Sequence, residues 1–417
     1  MEVLDEPVDF PKLRSCVRFA FIVVAGGQAE VPDPSFVVNV YPQVLKAGPP
    51  PIIKPGTRLT YFGGSSTING VRAKLVPDEN GNWVDKVSGR RYAESDVRNT
   101  GGVGYSIARV GHVDREVAVV HSATYLLDPL AKTVTSTGAT GIVTNAGAAG
   151  DYWIHPAVLK DIQEVNANGQ FIGRMPYVVM NRKFNAIRFQ NDTASGHNTY
   201  VYDLDSGLMI FHGSSLIGGD VITPGVNGNA GVGRGSTFLS HGFLMEVKDI
   251  EVPWKNSPTP AWVGQFRELK YDGGITTAIQ GVPPHTQAVS VLLTPKAREN
   301  GWLRYNNTTT IAVYGLPPQQ SQSNSASGHA SVGGLWIPPQ GLAALKAGQV
   351  IETNDIIKTK TAVTDIGRGY VTISEMGQIH RLDVSYDTTS GIMAGVTLRQ
   401  QNQLAVTTTQ LRLSGQR

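Results

Sequence analysis

Cysteine is almost missing from this chain: Cys16 is the only one in 417 residues. A lone cysteine excludes an internal disulfide framework and any metal site built from several thiolates. Charge is also scarce, 17% of residues against roughly 25% in an ordinary globular domain. The balance is only +3 and no Lys/Arg run concentrates it, so no nucleic-acid partner is expected. No segment approaches the roughly 18 consecutive apolar residues that argue for a transmembrane helix. The nine histidines contain no His-x-His, His-x-x-x-His or His-Glu-x-x-His spacing. Hence neither a metal nor a cofactor is expected. A nucleophile elbow is absent too, because His329-Ala330-Ser331-Val332-Gly333 carries His where the first Gly should stand.

What the chain does hold is glycine, 47 of them, and a pattern that occurs twice. Gly150-x-x-Trp153-Ile154-x-Pro156 returns as Gly333-x-x-Trp336-Ile337-x-Pro339. Tyr202-Asp203-x-x-Ser206-Gly207-Leu208-Met209 returns as Tyr386-Asp387-x-x-Ser390-Gly391-Ile392-Met393. Spacing has survived along with the residues, which reads as an internal duplication. Leu59-Thr60-Tyr61-Phe62-Gly63-Gly64 likewise pairs with Leu269-Lys270-Tyr271-Asp272-Gly273-Gly274. The first copy is longer before its Trp block, which places an insertion at 78–104, opening on an Asn80-Gly81 hairpin turn. A Gly-rich loop at 214–236 is the second point of divergence.

In each copy a Trp block introduces the best helix. Pro156 and Pro339 suit a first helical turn, where a missing N–H costs nothing. Val158, Leu159, Ile162 and Val165 form one apolar face, Leu342 and Leu345 do so in the second copy, and Gly348 is a natural stop. Short alternating segments follow, among them 177–180, 186–190, 199–203 and 208–211, with counterparts at 370–374, 381–387 and 392–399. The polar Ser/Gln/Gly stretch 319–334 reads as mobile. The expected fold is α+β and β-dominated: two tandem copies of a mostly antiparallel curved sheet, half-barrel or roll, each with one short helix. An extended proline-rich segment precedes them. The boundaries are 1–29 for a signal peptide or first strand, 30–56 for the proline-rich lead-in, 57–253 for the first unit, 254–263 for the linker and 264–417 for the second unit.

The third Asp-x-x-Ser-Gly, Asp85 to Gly89, lies outside the Tyr context, so the motif reads as a turn device in which Asp accepts backbone N–H groups and Gly takes positive φ. The shared tryptophans read first as anchors between helix and sheet. Their alternative role is an aromatic wall for an apolar ligand. Asp151, Tyr152 and His155 are replaced by Gly334, Leu335 and Pro338 in the second copy, so function added to one copy would gather there. The candidate ligand-binding residues are therefore Asp151, Tyr152, Trp153, His155 and Trp336, with no catalytic residue assigned.

These observations lead to the expectation of a soluble, non-catalytic, exported binding protein for an apolar or amphipathic small molecule. Export, to the periplasm or beyond the cell, rests on 16–29: an apolar run at 19–25 behind Lys12, Arg14 and Arg18, then small residues at Gly27 and Ala29. A structural or surface-adhesion protein is the alternative, supported by the Thr/Ser/Gly-rich loops and the proline strap. A hydrolase with its site at Asp151, Tyr152 and His155 is the third reading.

Overall fold

The computed structural model describes residues 42–417 except 70–72, 79–81, 93–101, 129–130, 151, 219–220, 225–229, 234–235, 300, 313–314, 316, 368 and 402–404. The 16–29 segment, the first part of the proline-rich lead-in, Asn80-Gly81 and Asp151 thus lie outside the described residues.

Two ten-stranded antiparallel sheets dominate. The first contains β1 (Thr57–Asn69), β2 (Gly102–Val113), β3 (Val117–Asp128), β4 (Thr133–Asn145), β5 (Val165–Ala167), β6 (Gln170–Val179), β7 (Arg182–Thr193), β8 (Gly196–Asp203), β9 (Met209–Gly218) and β10 (Ser236–Asp249). The second contains β11 (Leu269–Ile279), β12 (Val282–Glu299), β13 (Trp302–Ile311), β14 (Gln319–Gly328), β15 (Val350–Asn354), β16 (Thr359–Ile366), β17 (Tyr370–Met376), β18 (His380–Asp387), β19 (Met393–Gln401) and β20 (Ala405–Gln416). The spatial order is β4-β3-β2-β1-β10-β9-β8-β7-β6-β5 in the first and β14-β13-β12-β11-β20-β19-β18-β17-β16-β15 in the second. The two match strand for strand, and both are open. The first copy's additional elements are a small three-stranded sheet spanning 75–92 and a hairpin spanning 221–233. Both fall in or beside the stretches where the two copies diverge in sequence.

In each sheet the first strand pairs with the last at the centre, and one long connection joins opposite edges. Residues 146–164 run from β4 to β5, carrying the Trp block and α1 (Pro156–Asp161). Residues 329–349 run from β14 to β15, carrying the second Trp block and α2 (Pro339–Ala343). Each crossing segment fills the inner face of its sheet. Trp153, Ile154, Val158 and Leu159 share one core with side chains from most strands of the first sheet. Leu335, Trp336, Ile337 and Leu342 do the same in the second. That core also takes Ile250, Val252 and Trp254 from the chain joining the copies.

The shared sequence motifs are the fastenings between crossing segment and sheet. Ile154 N–H donates to the Gly207 carbonyl and Ile337 N–H to that of Gly391, each at 2.9 Å. Within each turn the Asp carboxylate accepts the backbone N–H and hydroxyl of the Ser three residues on, Ser206 for Asp203 and Ser390 for Asp387. Asp85 accepts the Ser88 hydroxyl in the same way, at 2.5 Å. Gly207 and Gly391 have φ of 79° and 74°, and a Cβ on either would lie 2.2 or 2.1 Å from the Ile154 or Ile337 carbonyl oxygen. Only glycine fits that position, because the left-handed conformation and the backbone contact coincide.

Two tyrosines in each copy stand at β-bulges that correspond between the copies. Register shifts fall between Thr60 and Tyr61, Val201 and Tyr202, Lys270 and Tyr271, and Ser385 and Tyr386. A bulge re-aims a side chain, and here it directs each hydroxyl to a main-chain carbonyl. Tyr61 donates to Met209 and Tyr271 to Met393; Tyr202 donates to Gly150 and Tyr386 to Gly334.

The polar stretch expected to be mobile is strand β14 over residues 319–328. Two of its serines are buried with hydroxyls that accept backbone donors: Ser325 from Gly141 N–H at 3.2 Å and Ser327 from Leu335 N–H at 3.2 Å. Polarity alone is a poor sign of a loop where small hydroxyls meet exposed main chain.

Candidate functional site

The crossing segments place Tyr152, Trp153 and Trp336 inside the protein. Trp153 and Trp336 have no exposed surface, so neither can touch a bound molecule without the core opening. Each indole fills space between sheet and crossing segment, contributing on the order of 3–5 kcal/mol by truncation. Tyr152 is also buried, against the rings of Tyr61 and Trp153. His155 caps α1, its Nδ1 accepting from Ala157 N–H at 3.2 Å. Burial lowers its pKa, which suits an acceptor imidazole.

Beside the second crossing segment lies an open groove of about 330 Å³. Pro258, Pro260 and Trp262 form one part of its lining and Pro338, Pro339 and Gln340 another, with Thr389 and Ser390 at the turn. Trp262 is half-buried. Its indole N–H donates to the Ser390 carbonyl at 2.8 Å, and its ring meets Trp336 edge-on, centroids 6.5 Å apart. The half-buried Trp262 is thus one layer out from the repeated pattern. Pro258-Thr259-Pro260-Ala261-Trp262 was the available sequence signal, an aromatic held by two rigid prolines, but it sat in the presumed linker.

A second assembly joins the two copies. Strand alternation sends Leu59, Ala108, Val110, Ala118 and Val120 to the filled face of the first sheet. Arg58, Ile107, Arg109, Val119, His121 and Ala123 therefore point to the opposite face, which receives the second copy. Ile357 packs among Ile107, Ala123, Tyr125 and Val134; Trp302 and Ala326 pack on Val119. At Gly141 the backbones of β4 and β14 nearly touch, since a Cβ there would lie 2.0 Å from the Ala326 carbonyl oxygen.

Charges are set into this seam. Arg58 donates to Glu352 at 2.5 Å and also to Glu246. Arg109 reaches the other Glu352 oxygen at 2.9 Å and Glu375 at 3.5 Å. Tyr125 hydroxyl donates to Glu375 at 2.8 Å, and His380 Nε2 lies 3.3 Å from the same oxygen. Burial raises the Glu375 pKa, but His380, Arg109 and Tyr125 outweigh it and leave the carboxyl below its ordinary value. Desolvation works against the Arg109 charge, yet Glu352 and Glu375 hold it firmly protonated. Such a network is a lock: Arg58 and Glu352 are buried, and each arginine is paired with two carboxylates. Sequence reasoning passed over it, although Arg109 interrupts the apolar run from Ile107 to Val110.

Next to the lock, Ser331 Oγ lies 2.5 Å from His121 Nε2 and accepts Gly328 N–H at 2.9 Å. Burial, with Arg109 nearby, lowers the His121 pKa to about 4, so the imidazole is a neutral acceptor. This contact is that of a nucleophile and its base. The space beside it, lined by Arg109, His121, Ser331 and Glu352, is about 10 Å³, no more than one water requires. It holds no room for a substrate. Further along the seam His112 and His329 face each other, Nδ1 to Nδ1, at 3.0 Å. Among the described residues no three His, Cys, Asp or Glu side chains are grouped to hold a metal ion, and no helix is long and apolar enough to cross a membrane.

No protein-family model matches this chain, and no curated protein matches it in sequence.

Proposed function

We propose that the protein is a non-catalytic, exported binding protein whose apolar or amphipathic ligand lies in the open groove of the second copy. The groove at Trp262 carries this reading. Its volume falls within the range of small-molecule sites, and its lining is mostly apolar with a few polar groups from Gln340, Thr389 and Ser390. Rigid prolines on both sides hold it open at little entropic cost. Low charge and the 16–29 segment support export, and the matched sheets support descent from a duplicated unit.

Native mass spectrometry of the protein purified gently from its own host tests the proposal. A stoichiometric apolar molecule, lost on Trp262→Ala in a protein of unchanged stability, is the expected result. A ligand that survives Trp262→Ala would refute the groove. A structural or surface-adhesion role is the second reading, favoured by cores filled by their own crossing segments and by the buried seam. A clean ligand-free mass with a ladder of oligomers would support that role.

A further inference from the structure

His112 and His329 come from different copies, 217 residues apart in sequence. His112 stands at the bulge near the end of β2, and His329 directly follows β14. Their Nδ1 atoms meet head-on at 3.0 Å, with ring planes at 78°. In such a hydrogen bond one nitrogen donates and the other accepts, so one hydrogen lies between the rings. A first added proton leaves that bond in place. Asp114 Oδ2, 3.1 Å from His112 Nε2, balances its charge. A second added proton has no such place. Both Nδ1 atoms then carry hydrogen and two like charges face each other. Among the described residues Asp114 is the only carboxylate in contact with either ring.

Main chain boxes the pair in. A Cβ on Gly301 would lie 2.8 Å from His112 Nδ1 and 3.1 Å from His329 Nδ1. A Cβ on Gly328 would lie 2.5 Å from the Gly111 carbonyl oxygen. Beside it, Ala330 N–H donates to that carbonyl across the seam at 2.8 Å. The two imidazoles are therefore held by the same main-chain contacts that join the copies here, and pushing the nitrogens apart strains those contacts.

We propose that the His112–His329 pair is an acid-sensitive latch, and that its double protonation opens this end of the seam while both copies stay folded. The closed seam then binds fewer protons than the open one, so falling pH favours opening. Burial raises the Asp114 pKa, but the Val117 and Glu116 N–H groups and His112 bring it below its ordinary value. That carboxylate is thus still ionised while the histidines charge. Burial, then His112, lowers the His329 pKa, which sets the second protonation below the ordinary histidine range. Other charged and titratable groups on the surrounding elements are Arg109 with its partner Glu352, His121 on β3, Arg115 and Glu116 on the turn of Asp114, Lys255 on the joining chain, and Glu299 and Arg304 on either side of Gly301. Residues 319–334 bring none besides His329, and β4 brings none. His121, beyond Gly111, faces the Ser331 hydroxyl, which accepts from a charged imidazole as readily as it donates to a neutral one.

Hydrogen exchange of the full chain at about pH 7.5 and about pH 5, each corrected for the unfolded exchange rate at that pH, tests the latch. Protection of the Ala330 amide should fall about tenfold or more at the lower pH, while the Ile154 and Ile337 amides inside each copy keep theirs. His112→Gln and His329→Gln each remove one of the two charges, so Ala330 should stay protected at the lower pH in both. His212→Gln, which alters a histidine elsewhere in the first copy, should leave the loss at Ala330 unchanged. Histidine titration of the unaltered protein by nuclear magnetic resonance gives a reading that no variant's folding can disturb. The pair should take up its protons in two separate steps, and Ala330 protection should fall with the second. Ala330 protection that persists through both steps overturns the proposal. So does a loss of protection that remains in both His112→Gln and His329→Gln, or one shared equally by Ile154 and Ile337.

Discussion

Arg58 and Glu352 stand 294 residues apart in sequence and 2.5 Å apart in space, with side-chain exposures of 0% and 2%. Glu352 also holds Arg109, so two guanidinium groups share one carboxylate at the seam. Its removal leaves Arg58, fully buried, with only the part-exposed Glu246. Glu352→Leu is expected to cost about 3–5 kcal/mol, whereas Arg58→Met combined with Glu352→Leu should cost less than the single change. Equilibrium urea denaturation measures both. A double variant weaker than the single one would show that the pair contributes net stability beyond its own desolvation.

The two shared tryptophans differ in their indole N–H. Trp153 Nε1 donates to the Ala146 carbonyl at 2.8 Å, while Trp336 Nε1 is buried with no hydrogen-bond partner among the described residues. Trp153→Phe should therefore destabilise more than Trp336→Phe, by about 1 kcal/mol. Thermal and urea unfolding of the two variants side by side gives the comparison.

The turn glycines sort by what surrounds them. Gly207→Ala and Gly391→Ala combine a positive-φ penalty of about 1–2 kcal/mol with a carbonyl collision, so each should exceed 2 kcal/mol. Gly89 has a similar φ of 68° but nothing within 4 Å of its would-be Cβ. Gly89→Ala should show the conformational penalty alone, about 1 kcal/mol. Equal losses at all three positions would count against the close approach of crossing segment and turn.

Acid should weaken the protein in a defined window. Burial chiefly, with Arg109 beside His121 and His241 beside His212, lowers both histidines from 6.5 to about 4. The unfolded chain therefore takes up more protons than the folded one between these values. Stability from this source is complete above pH 6.5, falls as pH drops from 6.5 to 4, and levels off below. Asp192 acts lower. Burial raises its pKa, but Lys86 and His197 bring it down to about 2, so its contribution is lost between pH 4 and 2. Urea midpoints at pH 7.5, 5.5 and 4.5 should decline, and less steeply in His212→Gln.

The β-dominated class and the short helix in each copy were legible because the Trp and Tyr-Asp patterns are fastenings, and fastenings tolerate little change. Pro156 and Pro339 marked helix starts, and the Asp-x-x-Ser-Gly turns were read as turns. Strands β12, β13 and β14 were harder to see. Their Thr, Ser, Asn and Gln residues meet another chain segment or solvent on one face, so the expected apolar alternation is blurred. Arg58, Arg109, Glu352 and Glu375 were hidden for a different reason: no local pattern records which distant charges will meet. The same holds for His112 and His329. Trp262 was visible as a residue, but its groove exists only once Pro338 and Ser390 are brought beside it.

In each sheet the strand that opens the unit lies against the strand that closes it, with Thr57 opposite Asp249 and Leu269 opposite Gln416. Both ends of a unit therefore emerge side by side at one end of an antiparallel pair. Tension drawn through the chain would pull these two strands apart like a zip, loading one hydrogen bond at a time instead of shearing the whole row together. A unit built this way yields at low force and lengthens in two steps, one for each copy, and the buried seam would govern which copy opens first.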